Sequence, residues 1–321
     1  MTTIQFQLRQ ATHSDLPAIA ALISEGLSFD GLTIVQTAEE LEEDWGGPYC
    51  FLDQDVMVAE HESHIIGVGY TYFLPSETKE ERCYALGTVK PTFRRKGVGT
   101  ELQQWTTTRA EKLLRSTNRT IPKFLRSDVS TSNTSADFLF KKFNMRPVRW
   151  NEDLIIDLNQ SPEVFVSPGY CVIPWDTSRD EEARVVKNLA FMDHWGSTPT
   201  SEEGWEQLVH GSTAKLDQSF FALDSNNNIV GLLLSHRYES DDETLGKRIG
   251  WIDKLATLSE HRGKSIGRSL ITHALAAYRR DGLTHAALDV DTENPTGAYG
   301  LYTAVGFSTF RGSVTYERIV Q

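Results

Sequence analysis

The sequence predicts two α/β (α+β) domains in tandem, and three observations carry that reading. The chain has 321 residues, about twice a common domain size. Its two halves show the same order of strands, hairpin, loop and helices. Matched positions then recur at nearly one spacing, Gly67 with Gly231, Gly99 with Gly267 and Leu139 with Leu301. Such a period marks a duplicated unit, and a copy this long can bury its own core. The division is read as 1–160 and 161–321, with Asn159 to Glu163 as the linker.

Each half opens with a short strand and a helix. Ile4 to Leu8 precedes a helix capped by Ser14 or Asp15, with Leu16, Ile19, Leu22 and Ile23 at helical spacing. Tyr170 to Ile173 precedes Ala183, Val186, Leu189 and Ala190 in the same arrangement. A hairpin follows in both: Val56 to Ala59 turns into Ile65 to Tyr70, and Phe220 to Leu223 turns through Asn226, Asn227 and Asn228 into Ile229 to Leu234. Asparagines suit a turn that needs positive φ. Next comes a strand, a basic glycine-containing loop and a long helix. The helix runs from about Thr100 to Leu114 in one copy and to about Arg280 in the other. Each half closes with a helix between strands. In the second, Asn294-Pro295 supplies an N-cap and a proline at the first helical position, and Gly306 ends the helix. In the first, Asn144 ends it.

Composition removes several function classes. A net charge of −12 argues against a broad basic surface for nucleic acid. No apolar run is long enough to span a bilayer. The N-terminus lacks the basic start and apolar stretch of a signal peptide, so a cytoplasmic protein is expected. Cys50, Cys83 and Cys171 form no CxxC pair, and the nine histidines show no metal spacing, so no metal is expected. Glu39 to Asp44 reads as a solvated helix face.

A glycine-rich loop leading into a helix N-terminus is an anion site, because free N–H groups and the helix dipole converge there. Two phosphate motifs are excluded. Gly263-Lys264-Ser265 lacks the glycine five residues earlier that a nucleotide-triphosphate loop needs, since Leu258 stands there. Gly97-Val98-Gly99 lacks the third glycine of a dinucleotide fingerprint, where Leu102 stands.

What remains resembles the GCN5-related N-acetyltransferase (GNAT) family. Its loop signature is Arg or Gln-x-x-Gly-x-Gly or Ala between a strand and a helix. Arg94-x-x-Gly97-x-Gly99 fits in full, and Arg262-x-x-Ser265-x-Gly267 fits with a serine at the first glycine. The ending Asn294…Ala298-x-x-Leu301-Tyr302…Gly306-Phe307 is similar to the family's closing motif. The resemblance covers nearly the whole chain, once per half, as in the two-domain members of the family. It implies a central mixed, mostly antiparallel sheet flanked by helices in each domain. It also implies acetyl-coenzyme A as cofactor and direct acetyl transfer to a primary amine of a small molecule or peptide, by a monomer or homodimer. Binding of the cofactor would fall to Gly87, Thr88 and Val89 with Arg94, Arg95, Lys96, Gly97, Val98, Gly99 and Thr100 in the first half. In the second half it would fall to Leu255, Ala256 and Thr257 with Arg262, Gly263, Lys264, Ser265, Ile266, Gly267 and Arg268, and to Asn294.

By the same resemblance, Tyr302 is the acid that protonates the leaving thiolate, and Phe140 stands in its place in the first half. Asp253, on the strand before the second loop, is the candidate base, with Asp291 and Glu293 nearby in sequence. His194-Trp195-Gly196 falls where the family shapes its acceptor pocket. The second half is therefore expected to be catalytic and the first degenerate. The alternative is a non-catalytic acyl-coenzyme A-binding or sensor protein.

Overall fold

A computed structural model describes residues 4–293 and 297–321 of the chain. It divides into two compact units, Met1–Trp150 with Ser313–Gln321, and Asn151–Gly312. The contact-defined units therefore do not follow the 160/161 division. Residues 151–160 count with the second unit and the C-terminal stretch with the first. Strand pairing is the cause: residues 151–157 pair inside the second sheet and residues 313–319 inside the first. Which partner an end strand takes is a long-range matter that its own alternation does not encode.

The first unit contains β1 (Gln7–Gln10), α1 (Leu16–Phe29), α2 (Ala38–Asp44), the single turn α3 (Leu52–Asp55), β2 (Val56–His61), β3 (His64–Leu74), β4 (Glu81–Val89), α4 (Val98–Ser116), β5 (Lys123–Ser130) and α5 (Thr134–Lys142). Next in the chain comes β6 (Arg146–Asp157), and the last strand is β12 (Ser308–Ile319). The sheet runs β1-β2-β3-β4-β5-β12, antiparallel throughout except for the β4–β5 pair. The first strand begins at Gln7 rather than Ile4, because its partners are Met57 to Glu60. Asp15, one of the two expected residues, is the N-cap of α1, and Thr12 caps the single 3-10 turn His13–Asp15 that precedes it. Thr12 acts through its main chain as well: its backbone N–H donates to Asp15 Oδ2 at 2.8 Å.

The second unit adds β7 (Cys171–Pro174), α6 (Asp180–Ala190), α7 (Glu202–His210), β8 (Phe220–Leu223), β9 (Ile229–Arg237), the single turn α8 (Asp242–Leu245), β10 (Ile249–Thr257), α9 (Ile266–Arg280), β11 (His285–Asp291) and α10 (Ala298–Val305). Its sheet runs β6-β11-β10-β9-β8-β7, again with one parallel pair, β10–β11. Each unit is thus a mixed, mostly antiparallel sheet with helices on both faces. In the second unit Leu270, Ala274 and Tyr278 of α9 are fully buried against Leu233 and Leu288. On the opposite face Ala183 and Val186 of α6 pack with Trp205, Phe221 and Leu232. That double cover explains why β9 is buried at every position instead of alternating. Among the described residues no helix is long and apolar enough to cross a membrane.

Candidate active site

In each unit the one parallel pair comes apart after four residue pairs. β4 pairs with β5 only over Glu81–Tyr84, and β10 with β11 only over Ile249–Ile252. Beyond those points the strand before the glycine loop has no parallel neighbour, and a slot opens between the diverging strands. Backbone groups along the slot are free to bond an extended ligand as a neighbouring strand would. The two slots differ in one respect. β10 carries a bulge, because Ile252 pairs with Ser235 and Lys254 with Leu234, which leaves Asp253 as the extra residue. β4 pairs with β3 from Arg82 to Val89 without a break. A bulge re-aims backbone groups out of the ladder. Only the second unit has it at this place.

The loops at the ends of these strands share one backbone shape built from different residues. Two positions of each loop are left-handed: Arg95 (φ 63°) and Gly97 (φ 97°) in the first, Gly263 (φ 73°) and Ser265 (φ 62°) in the second. The glycine has moved from one left-handed position to the other, and Ser265 holds the conformation its glycine counterpart holds. A Cβ added at Gly97 or Gly263 would meet no atom within 4 Å. The space over each loop is open, as a docked phosphate requires.

The first arginine of each motif faces inward rather than toward that space. Arg94 Nε donates to the Val89 carbonyl at 3.1 Å, and Arg262 Nε to that of Thr257 at 3.3 Å. Arg94 Nη2 then reaches Gly26 O at the end of α1, and Arg262 Nη2 reaches Ala190 O at the end of α6, at 2.7 Å. Both guanidiniums bond helix C-terminal carbonyls, where positive charge is favoured. Val98 and Ile266 also point inward and are buried. Their contribution to an anion is limited to backbone N–H groups in the first turn. Among the described residues Arg95, Lys96, Lys264 and Arg268 pair with no carboxylate; the last three lie against Phe93, Tyr170 and Phe165.

Tyr302 sits in α10, 7% exposed, its ring edge-on to Phe307 at 6.2 Å. Its hydroxyl makes no hydrogen bond to any described residue. Burial, helped by Asp289, pushes its pKa well up, so the phenol stays protonated. The equivalence with Phe140 is visible in packing. Leu301 is the nearest side chain to Gly267, and Leu139 lies 3.9 Å from a Cβ built on Gly99. Asp253 lies in the bulge. Lys254 Nζ is 2.9 Å from its Oδ2, out of line for a hydrogen bond, and His236 Nε2 is 3.9 Å away. Burial pushes the Asp253 carboxyl up, but the Lys254 and His236 charges outweigh it and leave it below the usual range. Burial in turn pushes His236 down. Its Nδ1 meets Thr213 Oγ1 at 3.1 Å, and its Nε2 meets Leu208 O at 3.1 Å. Asp291 is buried and accepts from the Glu293 backbone N–H. His194 lies just past α6 with its ring 5.4 Å from that of Phe191. Asn294 falls outside the described residues.

The first unit carries two features that no local pattern in the sequence announces. Asp30, at the end of α1, accepts from Arg94 Nη1 at 2.6 Å and Nη2 at 3.0 Å, and from Asn133 Nδ2 at 2.8 Å. Asn133 caps α5 on the far side of the slot, so this carboxylate bridges the glycine loop to the β5–α5 loop across the slot's mouth. Inside the slot, Ser127 Oγ donates to Ala85 O at 2.6 Å. A carbonyl that an extended ligand could use is already taken.

The geometry agrees with the comparisons. The Acetyltransferase (GNAT) family model matches residues 26–145 and again residues 187–307. A mycothiol acetyltransferase of Thermobispora bispora is 25% identical across 98% of this chain and 100% of its own length. The crystal structure of a GCN5-related N-acetyltransferase from Sphaerobacter thermophilus matches 99% of this chain and 98% of its own, with a TM-score of 0.77 and 24% identity. A tandem GNAT protein from the clavulanic acid biosynthesis pathway matches 99% of both chains, with a TM-score of 0.71 and 14% identity; these two show likeness of fold. The chain belongs to the GNAT family of acetyltransferases, with one family domain in each half.

Proposed function

We propose that the second unit transfers acetyl from acetyl-coenzyme A to a primary amine, and that the first unit does not turn over. The single observation that carries this is the pairing of a bulged β10 with Tyr302 in the second unit, against an unbroken β4 with Phe140 in the first. Acetyl-coenzyme A, when bound, supplies the acetyl thioester. Lys264 and Arg268, with the first-turn N–H groups of α9, hold its pyrophosphate. Arg262 fixes the loop to β10 and α6. The backbone N–H groups released by the bulge would serve as donors to the oxyanion. Asp253, ionised between Lys254 and His236, attracts the acceptor ammonium, whose proton leaves through water. A carboxylate held this low is a weak direct base. The free amine then attacks, a C–N bond forms, the C–S bond breaks, and Tyr302 hands its proton to the departing sulfur. The proton shed by the new amide nitrogen passes to water, from which the phenol is restored.

The test is acetyl-dependent thiol release by the full chain with a panel of amines, beginning with the acceptor of the mycothiol acetyltransferases. A charge-reversed second loop, Lys264→Glu with Arg268→Glu, abolishes transfer, and Arg95→Glu with Lys96→Glu in the first loop does not. Transfer that followed the first loop would move the active site to the other unit. Hydrolysis without transfer across the panel would favour the acyl-coenzyme A sensor instead.

A further inference from the structure

In the second unit, the stretch of chain just before β7 lies along the start of α9. Its side chains alternate. Val164 and Val166 face out, 45% and 57% exposed, while Phe165 lies toward α9 and Ser167 is buried. Two α9 side chains hold its backbone. The Phe165 N–H donates to Thr272 Oγ1 at 3.0 Å, and Ser269 Oγ donates to Phe165 O at 2.9 Å. Ser167-Pro168-Gly169-Tyr170 then makes a tight turn, with the Tyr170 N–H donating to Ser167 O at 3.1 Å and Gly169 left-handed at φ 82°. Proline at the second position and a left-handed glycine at the third suit such a turn.

This strap grips the glycine loop from its buried side. Ser167 Oγ donates to the Lys264 carbonyl at 2.6 Å. In a trans peptide the N–H points opposite to the carbonyl, so the bond turns the Ser265 N–H away from the strap. That N–H donates to no described residue, which leaves it for an anion. Arg268 lies over the Phe165 ring at 5 Å or just under (4.9 Å), and Lys264 over the Tyr170 ring at 6.0 Å. The Tyr170 hydroxyl meets His261 Nδ1 at 2.9 Å, which ties that ring to the other end of the loop. Each cation therefore rests on an aromatic face of the strap. A side chain already placed loses less freedom when an anion arrives. In the first unit the matching lysine, Lys96, rests on Phe93 of its own loop instead.

We propose that Phe165, Ser167 and Tyr170 are positioning residues for the second unit's cofactor. They aim Arg268, Lys264 and the Ser265 N–H at the pyrophosphate of acetyl-coenzyme A. Their role rests on the second loop taking that pyrophosphate, as proposed above, and extends the site beyond the loop motif into the join between the two halves. Because they act through those groups, they matter only for a donor that carries a pyrophosphate.

The test is calorimetric titration of the full chain with coenzyme A, in a parent carrying Arg95→Glu and Lys96→Glu so that the first loop adds no signal. Ser167→Ala weakens binding about fivefold to tenfold, and Phe165→Leu about threefold to fivefold. Phe165→Tyr keeps the ring and binds as the parent does. In the transfer assay Ser167→Ala and Phe165→Leu raise the KM for acetyl-coenzyme A by those factors at unchanged kcat. With S-acetylpantetheine, which lacks the pyrophosphate, their kcat/KM equals the parent's. Equal losses with both donors would make the strap a support of the fold and overturn the proposal. Coenzyme A binding unchanged in both variants would overturn it too. Lys264→Glu with Arg268→Glu tells the two failures apart. If that pair leaves coenzyme A binding intact, or the parent binds none, the reading of the loop fails and the strap with it. If the pair abolishes binding while the strap variants bind like the parent, the strap alone fails.

Discussion

Replacing Tyr302 with phenylalanine separates catalysis from packing unusually cleanly, because the hydroxyl has no partner in the described structure. The ring stays against Phe307 and within the core around α9. Removing an unpaired, largely buried hydroxyl recovers its desolvation, so stability should hold or rise by up to about 1 kcal/mol. For a unit of this size that is a melting shift of roughly 0 to +4 °C. The catalytic cost follows from the leaving group. General acid assistance is worth about 10²–10⁴ in rate. A thiol with a pKa near ~8.5 leaves tolerably as thiolate, which places the loss near the lower end, about 10²-fold or ~2.7 kcal/mol. The KM for acetyl-coenzyme A should not move. Because burial raises the Tyr302 pKa, the wild-type rate should show no loss from its titration through ordinary alkaline pH. The assay is initial rate against both substrates with a calorimetric melt on the same preparation. An unchanged kcat refutes the acid assignment. A kcat loss matched by a lowered melting point would show that the hydroxyl is structural.

Ser265→Gly should stabilise the chain by about 0.5–1 kcal/mol in a urea melt, since it relieves a left-handed serine (~1–2 kcal/mol) against the extra chain entropy of glycine (~0.5–1 kcal/mol). A lower midpoint would mean that the serine hydroxyl holds the loop. Asp30→Ala removes the bridge across the first unit's slot and should cost about 2–3 kcal/mol, with faster hydrogen exchange at residues 94–97 and 131–134 and unchanged transfer by the second unit. Exchange unchanged in those segments would show the bridge to be idle. Asp44 sits at an exposed end of α2, where partial desolvation and the neighbouring charges of Glu40 and Glu43 push its carboxyl up to about 6. Between about pH 4 and pH 6 the folded state therefore binds more protons than the unfolded one. Stability falls as pH rises through that window and stays lower above it. Asp44→Asn should flatten that fall in melts taken from pH 4 to 7, and an identical profile would dismiss the shift.

The duplication was legible because it depends on local spacing: glycine at the hairpin, glycine at the helix start, leucine in the closing helix. The structure places those leucines beside the matching glycines, Leu139 near Gly99 and Leu301 against Gly267. Strand assignment at the unit ends was not legible. Residues 151–157 and 313–319 have the alternation of ordinary strands, and only pairing decides which sheet receives them. The Asp30 bridge was invisible for the same reason, since it joins three segments far apart in sequence. The bulge at Asp253 was also hidden. No glycine marks it, and its effect on the strand comes from its pairing with β9.

The serine in the second loop shows how a motif read by letters can mislead. Scored by residue type, Arg262-x-x-Ser265-x-Gly267 is the imperfect copy and Arg94-x-x-Gly97-x-Gly99 the intact one. Scored by backbone, each loop needs two left-handed residues and spends a single glycine on them, at Gly97 in one and Gly263 in the other. The remaining left-handed position goes to Arg95 or Ser265, at a similar local cost. The loops are therefore equal as anion cradles, and the letters do not rank them. What ranks the two units lies away from the loops: an unbroken strand, an occupied carbonyl and a carboxylate bridge in the first, against a bulge and a partnerless phenol in the second. If that ranking is right, exchanging the loop residues between units, with Arg95→Gly and Gly97→Ser in one and Gly263→Arg and Ser265→Gly in the other, leaves transfer in the second unit. Transfer that moved with the loop sequence would show that the letters had mattered after all.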